Sequence, residues 1–137
     1  MNHILVPVFV CLQLSFSNSA ECTKILFDTD MANDCDDIGA LAVLHTLEDK
    51  GEAAILAVVT NSRDSSKASA AACAAINRFY GGPDIPIGTD KDGAKTNNQH
   101  PSSFAPALRD EFSHRAKADN QMPDALAVLR RALAAMA

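Results

Sequence analysis

The sequence has no tryptophan, a single tyrosine and an aromatic content of only 5%. It also has no run of basic residues, and its formal charge at pH 7 is −5. With no basic run and few aromatic side chains for stacking, neither nucleic acid nor an anionic membrane surface is expected as a partner. Cysteine is scarce. The four residues Cys11, Cys22, Cys35 and Cys73 follow no zinc-ligand spacing and are too few for a disulfide scaffold in this length. There are no internal repeats. The apolar stretch Ile4 to Leu14 is too short to predict a membrane span. At 137 residues and 47% apolar content, the chain is expected to form one globular domain at most.

Charge is missing altogether from the start of the chain: the first twenty residues hold no Asp, Glu, Lys or Arg. An apolar core followed by Ser15-Phe16-Ser17-Asn18-Ser19-Ala20 reads as a secretory signal peptide over 1–20, cleaved near Ser19 or Ala20. A buried strand or helix is the other reading. The signal implies a secreted or periplasmic protein whose mature domain is 21–137. Its removal takes Cys11 and leaves an odd number of cysteines, which rules out full pairing.

What the sequence does have is acid. After the apolar, strand-forming Lys24-Ile25-Leu26-Phe27, five carboxylates fall within ten positions: Asp28, Asp30, Asp34, Asp36 and Asp37. Like charges this close repel one another unless a hard cation or the positive end of a helix dipole lies among them. The plain alternative is a solvated acidic loop with Asp36 or Asp37 as a helix N-cap. A strand ending directly in the cluster, with a helix following, instead places it where α/β proteins build their sites. Cys35, inside the cluster, reads as loop filling because neighbouring carboxylates disfavour a thiolate.

Strands are expected over 24–29, 53–60 and 85–88, and helices over about 37–49, 65–80, 104–115 and 123–136. Ala53 to Thr60 is near-continuously apolar, as in a strand buried on both faces. Lys50-Gly51 and Gly81-Gly82-Pro83 are helix stops, and Pro86 suits a strand start or a sheet edge. His45 fits a packing or surface position rather than a ligand. Thr89 to Ser103 reads as a long polar loop. The order β-α-β-α-β predicts an α/β fold, a parallel, Rossmann-like three-layer sheet with right-handed crossovers. Because the last helix should cross to a further strand, the chain is expected to be the N-terminal part of a larger fold.

Asp28-Thr29-Asp30 followed by Asp36-Asp37-Ile38-Gly39-Ala40-Leu41 resembles the N-terminal signature of the inosine–uridine-preferring nucleoside hydrolase family. Thr60-Asn61 resembles that family's second strand end, and Tyr80 to Gly88 its third repeat boundary. The resemblance covers about 24–90 well and 91–137 loosely. The loop Met31 to Cys35 departs from the family's shorter Pro-Gly form, with Ala32 where a glycine is usual. The resemblance implies hydrolysis of N-glycosidic bonds in ribonucleosides by a Ca2+-bound water. It implies Asp30 as metal ligand and general base, Asp37 as second metal carboxylate, and Asp36 as the group holding a ribose hydroxyl. Asn61 would line the pocket, and Asp28 would support the site. The implied partner is a small nucleoside, with a homo-oligomer left open. The family draws further ligands from its C-terminal half, which leaves activity of this chain alone an open expectation.

Two other readings remain. Asp28 and Asp30 also resemble the nucleophile and acid of a haloacid-dehalogenase-like phosphatase using magnesium, although Asp36-Asp37 then has no role. A non-catalytic calcium-binding module is the other. An EF-hand is excluded by register: counted from Asp28, Asn33 falls where the turn needs glycine and Gly39 where the closing glutamate belongs.

Overall fold

A computed structural model describes residues 22–31, 34–61, 66–91, 102–112 and 121–136. The proposed leader over 1–20 and most of the polar loop before Ser102 lie outside the described residues. The elements run in the order β1 (Thr23–Thr29), α1 (Asp36–Asp49), β2 (Ala53–Thr60), α2 (Ser69–Phe79), β3 (Ile87–Thr89), α3 (Ala105–Glu111) and α4 (Ala125–Ala134). The three strands form one sheet in the order β1-β2-β3, and both pairings are parallel. This is the α/β architecture that the alternation of apolar runs predicts. No described helix is long and apolar enough to cross a membrane.

The central strand explains how both faces come to be covered. Pairing of β1 with β2 shifts register between Ile25 and Leu26, so that Leu56 is an extra residue on β2. A bulge of this kind reverses the side-chain alternation beyond it. Ile55 and Val58 therefore share one face, while Ala57 and Val59 turn to the other. Beside the bulge, the Ile55 N–H donates to the Glu48 carboxylate (2.9 Å). On the first face lie Leu41 of α1 and Ala72, Cys73 and Ile76 of α2, with α3 packed against α2. On the second lies α4, through Val128, Leu129 and Ala132. The last helix thus forms the third layer.

Local chemistry sets the helix ends. Gly51 (φ 72°) and Gly81 (φ 86°) take the left-handed conformation just past α1 and α2. There Glu52 N–H donates to Leu47 O (2.9 Å) and Gly82 N–H to Asn77 O (2.8 Å), closing each helix with a Schellman pattern. Three helix starts differ from the sequence expectation. The last, α4, begins at Ala125 rather than 123, behind the N-cap Asp124. Cys35, not Asp36 or Asp37, holds the N-cap position of α1, without a side-chain capping bond. The second helix begins at Ser69 rather than Ser65, after Lys67 takes a positive φ (51°) that no helix turn can contain. His45 is 2% exposed, donates its Nε2–H to Asn77 Oδ1 (2.9 Å) and stacks on Tyr80, which ties α1 to α2 and makes it a packing residue. Cys22, Cys35 and Cys73 are free thiols.

Gly88 of β3 packs directly against α4. A Cβ there would lie 2.8 Å from the Ala125 Cα and 2.9 Å from the Val128 Cγ2. Because one of those atoms is backbone, the strain cannot be relieved by a rotamer change. Gly88→Ala is expected to cost about 1–3 kcal/mol by overpacking, read as a lower urea midpoint. An unchanged midpoint would mean that α4 does not pack on β3 in this way.

Candidate functional site

Parallel pairing brings the carboxyl ends of the three strands to one level. Thr29, Thr60 and Thr89 are register partners across the sheet and are 3%, 0% and 3% exposed. The Thr60 hydroxyl donates to that of Thr89 (3.0 Å). One residue further, Asn61 N–H donates to Thr29 O (3.0 Å) and Asp90 N–H to Thr60 O (2.8 Å). These bonds extend the ladder past the strands. Asp30, Asn61 and Asp90 therefore stand side by side above a buried threonine row.

Leaving β1, the chain turns sharply. Met31 adopts φ 44°, a left-handed conformation that costs a residue with a Cβ on the order of 1 kcal/mol or more. Two contacts offset it. The Met31 N–H donates to Thr29 Oγ1 (3.0 Å), and the Met31 side chain is fully buried in the core beside Leu41 and Val58. The strain thus falls on Met31. Ala32, where the signature that Asp28 to Leu41 resembles usually has glycine, lies outside the described residues.

The turn aims the acidic cluster. One carboxylate oxygen from each of Asp30, Asp34 and Asp37 lies within 4.8 Å of the others, and none of the three is buried. Asp30 comes from the end of β1, Asp34 from the loop and Asp37 from the first turn of α1. At 4.8 Å two unit charges repel by roughly 1 kcal/mol in water and roughly 3–4 kcal/mol at an effective dielectric constant of about 20. The α1 dipole returns only about 0.3–1 kcal/mol per carboxylate. A divalent cation offsets far more. An all-oxygen donor set suits a hard ion such as calcium or magnesium rather than zinc or copper. Three carboxylates are part of the roughly six to eight oxygens that calcium takes, so the residues fit such an ion with positions left for water or substrate hydroxyls.

Of the residues singled out in the sequence, Asp30 and Asp37 come together in this cluster. Asp36 is exposed at the start of α1 and is not one of the three converging carboxylates. Asp28 and Asn61 form a separate pair, the Asn61 Nδ2 donating to Asp28 Oδ1 (3.0 Å). Sequence reasoning missed Asp34 as the third carboxylate and Asp90 as the third strand-end residue. Asp90 had a signal: Thr89-Asp90 repeats the Thr29-Asp30 and Thr60-Asn61 pattern at the end of an apolar run. Asp34 stood in the acidic cluster by spacing alone, with nothing to set it apart from Asp36 as the third carboxylate. Comparison with family models, curated proteins and solved structures gives no match.

The Thr29 hydroxyl is the acceptor that holds the turn. Thr29→Val keeps the shape but leaves the buried Met31 N–H without it, and is expected to lower stability by about 1–3 kcal/mol. Thr29→Ser, which retains the hydroxyl, should recover most of the loss in the same denaturation experiment. Equal losses for both would assign the effect to packing rather than to the hydrogen bond.

Proposed function

We propose that the protein is a hydrolase of N-glycosidic bonds in ribonucleosides, converting nucleoside and water to ribose and free base. The site binds a divalent cation, calcium by preference, through Asp30 and Asp37. The observation that carries this reading is the convergence of Asp30, Asp34 and Asp37 at the carboxyl end of a parallel sheet. That arrangement agrees with the resemblance of Asp28 to Leu41 to the nucleoside hydrolase signature. Residues 1–20 act as a secretory leader in the same proposal, giving a secreted or periplasmic enzyme.

When bound, the cation supplies Lewis-acid polarisation to an attacking water and to the ribose diol. The remaining work belongs to the chain. Asp30 accepts the proton of the water attacking the anomeric carbon, while the base leaves with the electrons of the C–N bond and takes up a proton from solvent. Cleavage passes through an oxocarbenium-like state, and the surrounding carboxylates stabilise its positive charge. Asp36, exposed beside the cluster, accepts a hydrogen bond from a ribose hydroxyl. Asn61 lines the pocket in an orientation fixed by its bond to Asp28, which is the supporting role of that carboxylate.

A second reading has an observation of its own. Asp34 is exposed and Asp37 only half-buried, an openness that favours reversible cation binding without turnover. Calorimetric titration with calcium and an assay of ribose release from purine and pyrimidine ribonucleosides separate the two. The expected outcome is binding that Asp30→Asn with Asp37→Asn abolishes, and ribose release that Asp30→Asn lowers by about 10²- to 10⁴-fold. Calcium binding lost in the double variant, with no ribose released by the unaltered protein, would leave the binding module. Binding unchanged in the double variant would remove these residues from the site.

A further inference from the structure

The outer edge of β3 is closed only at its carboxyl end. Val58 N–H donates to Pro86 O (2.9 Å) and Asp90 N–H to Thr60 O (2.8 Å), so Pro86, Gly88 and Asp90 turn their backbone groups to β2. Ile87 and Thr89 therefore turn theirs outward. Thr89 N–H donates to Pro123 O (2.9 Å) within the parallel bridge between Thr89 and Asp124. The same register, carried two residues back, brings the Ile87 C=O to the nitrogen of residue 123, and proline has no N–H to give. The bridge stays isolated, and among the described residues no group pairs with the Ile87 N–H or C=O. Ile87 and Pro123 line a cavity of about 320 Å3 with Ile85 and Val128 in its floor. Arg78 of α2 and Arg131 of α4 stand on its two walls, both exposed and, among the described residues, without an ion-pair partner. Asp84 is the one carboxylate in the lining. Crossovers on the face of α1 and α2 run from β1 towards β3, so a right-handed crossover from α4, on the opposite face, runs back towards β1. The strand expected after α4 thus falls at the other edge of the sheet.

We propose that this edge binds an extended peptide carrying two consecutive acidic residues, added beside β3 as an edge strand. The backbone of such a peptide offers an N–H to the Ile87 C=O and a carbonyl to its N–H, the mode by which sheet edges take up strands. Consecutive side chains of a strand point to opposite faces of the sheet. One acidic side chain therefore meets Arg78 on the α2 side and the next meets Arg131 on the α4 side. Guanidinium–carboxylate hydrogen bonds are charge-assisted and fix both position and orientation. The two arginines outweigh Asp84 within the cavity. The chain's net charge of −5 repels an acidic ligand at long range, but at 0.1 M salt screening cuts that repulsion off beyond about 10 Å, and the nearby arginines then decide. Pro123 has a second role here: it keeps the chain's own segment from closing the edge. This site stands apart from the acidic cluster at the carboxyl ends of the strands, and its occupancy is measured without calcium or turnover.

The test is an NMR titration of the full chain with the peptide acetyl-Val-Glu-Glu-Val-amide and with its neutral counterpart, acetyl-Val-Gln-Gln-Val-amide. The acidic peptide should bind saturably, and the Ile87 amide should gain protection from hydrogen exchange as it does. Arg78→Gln and Arg131→Gln should each weaken binding by about three- to tenfold, and the neutral peptide should lose about as much as both together. Pro123→Ala, which supplies the missing N–H to the Ile87 C=O from within the chain, should also lower binding. Circular dichroism checks that each variant is folded. No binding of the acidic peptide overturns the proposal, and so does equal binding of the neutral one or indifference to both arginine substitutions. Acetate displacing the peptide as well as the free peptide does would reduce the site to an anion contact and remove the added strand. Binding with no change in protection at Ile87, or strengthened by Pro123→Ala, would place the peptide away from this edge.

Discussion

Parallel hydrogen bonding beyond the β2 bulge carries Thr29, Thr60 and Thr89 to one level, and the candidate site is built on that level. A parallel ladder continues for one residue past each strand as long as the next amide finds a carbonyl. Asn61 and Asp90 do so through Thr29 and Thr60. The threonines suit the position because their β-branched bodies pack within the sheet while their hydroxyls answer polar groups at its end. Thr60 and Thr89 answer each other, and Thr29 answers the backbone of Met31. A valine at any of the three would fit the strand and lose that polar link.

The turn after β1 converts order in the sheet into a local concentration of charge. Met31 is held in a left-handed conformation by its buried side chain and by one hydrogen bond. Burial of a methionine contributes about 1.5–3 kcal/mol, enough to offset a backbone cost of about 1–3 kcal/mol. The core beneath the sheet and the acidic cluster above it are coupled through this one residue. Mutual repulsion of Asp30, Asp34 and Asp37 is the opposing term, and a hard cation among them would offset it.

Much of the architecture was legible in the sequence because its signals are local. Ala53 to Thr60 is too apolar for any place but the middle of a covered sheet, and Lys50-Gly51 and Gly81-Gly82 stop their helices as glycine in the left-handed region does. The start of α2 was misplaced because serines at 65 and 66 look like caps, whereas Lys67 intervenes in a left-handed conformation and Ala68 holds the N-cap position. Asp30 and Asp37 could be singled out by strand-to-helix context. Asp34 belonged to the same acidic run, but spacing alone did not rank it above Asp36 as the third converging carboxylate. The bulge at Leu56 was equally hidden, because a run apolar at every position carries no alternation to break.

The central claim is that the strand ends and the start of α1 form one cation site. Paramagnetic broadening of backbone amide resonances by manganese, with calcium as competitor, tests it most directly. The account predicts broadening confined to Asp30, Met31, Asp34 to Asp37, Asn61 and Asp90, and its reversal by calcium. Broadening spread evenly over exposed carboxylates such as Asp49, Asp84 and Glu111, or left in place by calcium, would contradict it.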